Sequence, residues 1–557
     1  ARSSKCGSNA ASFDVNRVSV CMVRKRATQT PYCPVYLLTP PKGEPVTIKW
    51  TGGDSTWFET NNWDLKRIPI SNVSTTTDVA HIANGGTARI AAAGAQAVFL
   101  HVGETGNGRL CIEPGATLNV AKRLDIHAEA GYTAVVEISG GTTDLGWCSW
   151  IYGGGSNLLN MTDGVLRFNT DPYFAFTPGS KVTVRQSGGL IDVKNKSIRM
   201  AKERNSYGSI VLSGNGVVTN LSELYLGYDL NGARGSLSLS ENAAMSVSAL
   251  YAGGNKTNSV CSTGTVAVCG GVLSATTVTI GYYGVGEGTL TGGLIRCGNF
   301  YAGDQSGSRG TFLISGGMLL TTEDAVVGKG ADSYGHIQQE GGTADIRNLY
   351  LSMSSLPANA SYTLNGGTLR VRNAMTGPAT NNTENFTFTG GTLSFLTYMN
   401  TLPTLTHAGG TLSPGLDVAG KSTVDTNYLA TSPSARLSVN LGGTSQANAF
   451  TNSAGYYDLL NVTGRATLAG ELDVSFINGF DAAVKATDKF YVVASGSNIE
   501  GAFANVPSGG RVTTAERHSF AVYYGNNAAT TAAGEDPKKV TLTGFLHKQC
   551  GTIVTID

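Results

Sequence analysis

The sequence is short of charge. Asp, Glu, Lys and Arg make up 14% of 557 residues, against about a quarter in ordinary soluble proteins. Glu, Lys and Gln are scarce beside Gly, Thr, Ser and Asn, which argues against long helices. Only 16 prolines occur, which excludes collagen-like and polyproline chains. No run of 18 apolar residues is present, so no transmembrane helix is written in the chain. No two cysteines have C-x-x-C spacing and the seven histidines are scattered, so neither a zinc site nor another metal or cofactor is expected. A net charge of +1 gives no global reason to expect nucleic acid or an anionic membrane as partner.

What the chain has instead is glycine, 73 of 557 residues, together with a hydrophobic content of 41%. That is enough apolar material for a core, so the chain is not simply disordered. A small-residue doublet followed by an alternating apolar pair recurs fourteen times. Clear instances are Gly140-Gly141-Thr-Thr-Asp-Leu145, Gly188-Gly189-Leu-Ile-Asp-Val193, Gly292-Gly293-Leu-Ile-Arg296, Gly366-Gly367-Thr-Leu-Arg-Val371 and Gly390-Gly391-Thr-Leu-Ser-Phe395. Spacings run from 19 to 30 residues and average about 25. Each unit also holds strings such as Leu224-Tyr-Leu226-Gly227 and Phe300-Tyr-Ala-Gly303. A unit is therefore about three short strands with period-two alternation and glycine at the corners.

Three such strands cannot bury their inward face alone. Coiling them and stacking the coils pairs every strand with its equivalent above and below, which predicts an all-β, right-handed parallel β-helix of about fourteen coils. A propeller blade needs roughly 40–50 residues, so that alternative is excluded. Leucine-rich repeats match the period but need a Leu/Asn frame and helical segments that the chain lacks. The expected division is a basic N-terminal arm over 1–47, a Trp-rich cap over 48–84, the solenoid over 85–415, a C-terminal β-rich cap domain over 416–543, and a tail over 544–557. The arm carries seven Lys/Arg against Asp14 and Glu44, a solvated arm or one that docks on an acidic partner.

Nine cysteines at low density fit a few disulfides of a secreted chain, with one left free or paired between chains. Cys6, Cys21, Cys33, Cys111, Cys148 and Cys550 are the candidates, Cys550 for the interchain role. Trp50, Trp57 and Trp63 fall within fourteen residues. They read as a plug for the open end of the solenoid or, alternatively, as a glycan-stacking platform, and the pair Trp147/Trp150 beside Cys148 is a second aromatic candidate. No catalytic residue is expected. The slot three places after the doublet is of mixed sign, reading Arg89, Asn119, Asp144, Arg167, Asp192, Ser274, Arg296, Asp345, Arg370 and Ser394, as cross-strand pairing on a solvated face allows. The Gly-x-Ser-x-Gly nucleophile elbow and the calcium nonapeptide are both missing. Nine N-x-S/T sequons leave glycosylation open.

The opening from Trp50 to Trp63, the Gly-Gly-Thr-Leu repeats, the close Leu412-Ser-Pro-Gly415 and the late stretch Tyr457-Asp-Leu-Leu-Asn-Val-Thr-Gly464 with Gly501-Ala-Phe503 and Val540-Thr-Leu542 are motifs of a known kind. Over roughly 50–543 the chain resembles bacterial autotransporter-passenger-like repeat proteins, of the secreted, surface-anchored type of planctomycetes and verrucomicrobia. The resemblance implies a secreted right-handed β-helix displayed at a cell surface. The chain departs from the pattern in its cysteines, in its basic arm, and in showing neither a C-terminal membrane-barrel strand series nor an apolar anchor. The expectation is a secreted structural protein, a self-associating subunit of a surface layer or extracellular filament. A carbohydrate-binding adhesin is the alternative, and a polysaccharide-degrading enzyme a third.

Overall fold

A computed structural model describes residues 45–72, 76–229, 232–255, 261–353, 359–377, 385–451, 454–525 and 536–548. Lys42–Asp557 forms one compact unit. It is all-β, 61% strand, wound as a β-solenoid of about 13 turns with parallel stacked coils. Among the described residues the helical content is two single turns, Thr60–Asn62 and Phe480–Ala482.

Strand register shows how the repeat builds the core. One inward column runs Leu166, Ile191, Val218, Met245, Leu273, Ile295 and Leu319 through successive coils. It continues through Ala344, Leu369, Leu393 and Leu412. Every member of the column is 4% exposed or less. Each such aliphatic side chain contributes on the order of 1.5–3 kcal/mol by leaving water. Burial alternates along the strands, as in Arg309–Ile314 and Tyr334–Ile346. Period two therefore sends apolar side chains in and polar ones out.

The glycine doublet has a steric cause. At Gly391 the φ is +70°, and a Cβ there would lie 2.6 Å from the carbonyl oxygen of Gly367 on the coil below. Only glycine provides both the left-handed backbone and the close approach of stacked turns.

The column does not stop at 415. Leu412 stacks on Leu437, and Leu437 on Leu472. Lys421–Val424 and Leu459–Val462 stack in parallel in the same way. The change of sequence pattern after Gly415 reflects longer coils, one of which carries the excursion Ser445–Tyr457. The longest antiparallel run is at the C-terminal end, where Phe490–Ser495, Lys539–Leu546, Ser519–Tyr524 and Arg511–Thr513 pair in that order. The basic arm to residue 44 and the tail from residue 549 lie outside the described residues.

At the N-terminal side the three tryptophans pack edge to face. Trp63 lies 5.1 Å from Trp50 and 4.8 Å from Trp57, and its Nε1–H donates to the Trp57 carbonyl at 2.9 Å. Their exposures are 2% for Trp50 and 0% for Trp57 and Trp63. The glycan-platform expectation for Trp50, Trp57 and Trp63 is therefore corrected: their faces are spent on one another and on the core, leaving none for a sugar ring.

The disulfide expectation is corrected at Cys111. It is a free, buried thiol. The parallel register places Arg89 below it and Glu137 above it, so the neighbouring coils offer no cysteine at this position. Its Sγ–H donates to Glu137 Oε2 at 3.3 Å, and burial raises the thiol to about 11. Cys261, Cys269 and Cys297 are also free. Cys148 lies in the strand Cys148–Tyr152, in register with Arg123. Cys6, Cys21, Cys33 and Cys550 lie outside the described residues.

Candidate functional site

The outward faces of the coils carry columns as regular as the core. Residues of the mixed-sign slot form cross-coil ion pairs, Arg167 with Asp144 at 3.2 Å inside the slot, and Arg89 with Asp54 and Asp345 with Arg372 at 2.9 Å to partners outside it. A groove of about 510 Å³ on this face is lined by Thr343, Thr368, Thr392 and Thr411 with Asp345, Arg370 and Asp417. Among the described residues no group of three or more His, Cys, Asp or Glu is placed to hold a metal ion.

A second outward column was not found by sequence reasoning. It occupies the middle position of the apolar-x-apolar-Gly strings. In coil order it reads Lys49, His81, His101, Asp125, Trp150, Tyr173, Arg199, Tyr225 and Tyr251. The strings Leu100-His-Val-Gly103, Leu224-Tyr-Leu226-Gly227 and Phe300-Tyr-Ala-Gly303 carried the signal, since aligning their middle residues gives a ring-bearing stripe.

The neighbours on this stripe form a chain of contacts. The His81 ring stacks on His101 at 4.6 Å with 9° between planes. His101 Nδ1 lies 3.2 Å, and Arg123 Nη2 2.8 Å, from the same oxygen of Asp125. Asp125 is buried, which pushes its carboxyl up to about 6 against the pull of Arg123. Burial pushes the His101 ring down to about 3, so at neutral pH the imidazole is uncharged. Arg123 is thereby held over the face of Trp150, its guanidinium carbon 4.2 Å from the ring centre. Trp150 packs against Phe176 at 4.8 Å, and Phe176 against Tyr152 at 4.7 Å. Tyr152 stacks on His127 at 4.1 Å, and burial raises its phenol to about 12.

Beside this cluster an open groove of about 640 Å³ is lined by Arg123, Trp147, Trp150, Thr170, Asp171, Tyr173, Phe176, Lys196 and Lys202. Trp147 is 60% exposed, the most exposed large apolar side chain among the described residues. Its backbone stays in the coil stack, with N–H donated to the Lys122 carbonyl at 2.7 Å, while the ring stands out. Asp171, the groove's carboxylate, is held by Arg199 Nη1 at 2.6 Å and accepts from the Ser197 N–H at 3.0 Å.

The backbone around the groove is unusual too. In regular coils the residue that turns the corner after this column is glycine with positive φ, as at Gly227, Gly253, Gly281 and Gly303. At the groove the corner residues are Ala175 and Ala201, with φ of 55° and 57°. Lys194, Asn195 and Asn205 adopt the same conformation nearby. Left-handed backbone at non-glycine residues costs roughly 1–2 kcal/mol each and gathers where a local shape is being held.

The structure thus separates the two aromatic candidates of the sequence: Trp147 and Trp150 meet at a groove, whereas Trp50, Trp57 and Trp63 are core. Sequence reasoning missed Arg123, Tyr173, Phe176, Lys196 and Lys202, which come from three of the four successive coils that build the groove. No protein-family model, no curated protein and no solved structure matches this chain.

Proposed function

We propose that this chain is a secreted surface scaffold, of the autotransporter-passenger-like kind its motifs resemble, whose β-solenoid binds a glycan in the groove at Trp147. The observation that carries the reading is an exposed indole beside Trp150, Tyr173 and Phe176 in an open groove. Sugar rings present C–H faces that pack on aromatic faces, while their hydroxyls need polar partners at the rim. Thr170, Lys196 and Lys202 stand at that rim. Polysaccharide cleavage is disfavoured because the groove offers one carboxylate, Asp171, already paired, where glycoside hydrolysis uses two. A glycan array with the described protein and Trp147→Ala tests the reading. Binding by the parent, lost in the variant and kept in a Tyr207→Ala control, is the expected result. Absence of binding by the parent disposes of it.

The self-associating layer or filament subunit is a second reading. It is favoured by the strand Val46–Lys49, which among the described residues pairs with one strand, Thr76–Ile82, its far side being taken at Lys49 by Asp64, so that strand addition there would have to act before Lys49. Electron microscopy of the native material tests it: filaments or sheets support it, and monodisperse monomers at high concentration count against it.

A further inference from the structure

We infer that the ligand of the Trp147 groove is an acidic glycan, a polysaccharide bearing carboxylate or sulfate groups, held by ring stacking on Trp147 and by Lys196 and Lys202. The inference rests on the glycan reading above and adds the charge of the ligand. Its first support is the balance of paired and unpaired groups. Arg123 is matched by Asp125 at 2.8 Å, and Asp171 is matched by Arg199 at 2.6 Å. Lys196 and Lys202 line the same groove and have no carboxylate partner among the described residues. They leave the groove cationic, although residues 48–557 as a whole carry net negative charge. Two unpaired lysines converging beside an exposed aromatic ring are a charge surplus that a neutral polymer does not use.

The second support is the rigidity of the wall. Arg123 is fixed between the buried Asp125 and the Trp150 face, so its charge is spent inside the wall and its guanidinium keeps the indole in place. The flexible cations are the two lysines. They suit a ligand whose anionic groups vary in position along a polymer, because lysine acts as a mobile point charge where arginine acts as a planar fork.

Single-stranded nucleic acid is the competing polyanion. Its binding sites present a series of open aromatic faces for successive bases. Here Trp150 is covered by Arg123, and Tyr152 by His127. Trp147 therefore stands alone as the ring left largely open, which favours the glycan.

The test is titration calorimetry of residues 1–557 with tetragalacturonate, a heparin-derived tetrasaccharide, fully methyl-esterified tetragalacturonate and an eight-residue oligo(dT). The variants are Lys196→Glu/Lys202→Glu and, as a charge control on a distant exposed site, Lys485→Glu, each checked for an unchanged strand spectrum. The expected result is that at least one acidic tetrasaccharide binds about tenfold or more tighter than the ester. That preference should vanish in the double variant, persist in the control and weaken with added salt. Equal binding of acid and ester, unchanged by the double variant, overturns the acidic assignment and leaves the glycan reading standing. Binding of oligo(dT) alone, or of no probe, overturns both.

Discussion

Coils around Tyr225–Gly303 and coils around Trp147–Lys202 are built from the same unit and finish differently. In the first group outward rings lie on one another, with Tyr225 and Tyr251 5.0 Å apart and Tyr251 and Tyr282 4.5 Å apart, and Lys329 lies over Tyr301. Glycine turns each corner. In the second group alanine holds the corner in a left-handed conformation, a loop carries Phe176 outward, and Trp147 is left exposed. The regular coils use their aromatics on themselves. The irregular coils keep the stack and release one ring and two lysines to the solvent. The lesson is that in a solenoid, where neighbouring coils fix nearly everything, function is sought where the repeat is broken.

The comparison breaks if the two regions do not separate under mutation. The largest effect is expected at Phe300→Ala, a wholly buried ring in a regular coil that meets Phe312 at 4.8 Å. It should lower unfolding free energy by about 3–5 kcal/mol in denaturant titration and leave glycan affinity unchanged. Trp147→Ala should do the reverse, abolishing affinity with less than about 0.5 kcal/mol of stability lost.

The next effect is a pH dependence carried by buried histidines. His407 is buried, its ring lowered from 6.5 to about 4, with Nδ1 2.8 Å from the Tyr428 hydroxyl. A folded value below the unfolded one means that the unfolded chain takes up the proton first. The His407 contribution is therefore complete above pH 6.5 and falls as pH drops toward 4, while the raised carboxyls of Asp125 and Asp458 act in the opposite direction. The loss over that window should be about 3 kcal/mol, and His407→Gln should flatten the slope. His101, lowered to about 3 by burial, acts in the same direction.

Smaller effects test the corners themselves. Gly253→Ala places a Cβ at φ +85°, 2.6 Å from the Val285 carbonyl carbon, and should cost about 2 kcal/mol or more. Ala201→Gly relieves left-handed backbone at the groove and should gain about 0.5 kcal/mol, after the entropy cost of glycine. A gain in stability with reduced glycan affinity would show that the strained corner shapes the groove.

The coil stack was legible in the sequence because its causes are local. Glycine doublets mark positions that tolerate no Cβ, and period-two alternation marks the inward face. The burial of Trp50, Trp57 and Trp63 was legible as the first reading, a plug, but a cluster of Trp amid Gly and Asn left the platform open beside it. What decides is whether the rings face one another, and that depends on the antiparallel bridge between Trp50 and Trp63. The groove was half legible. Trp147 and Trp150 stood out by type, but Lys196 and Lys202 come from another coil, and variable coil length hides which lysine stacks beside which tryptophan. Cys111 misled for a similar reason: pairing depends on register, and register put Arg89 and Glu137 there.

Iodide quenching of tryptophan fluorescence, with and without a glycan that binds, tests the central claim most directly. Trp50, Trp57 and Trp63 are shielded and Trp147 is open, so the free protein should show a quenchable fraction that the bound glycan protects and that Trp147→Phe removes. A glycan that binds while leaving the iodide-accessible fraction unchanged would place its site elsewhere and contradict the account.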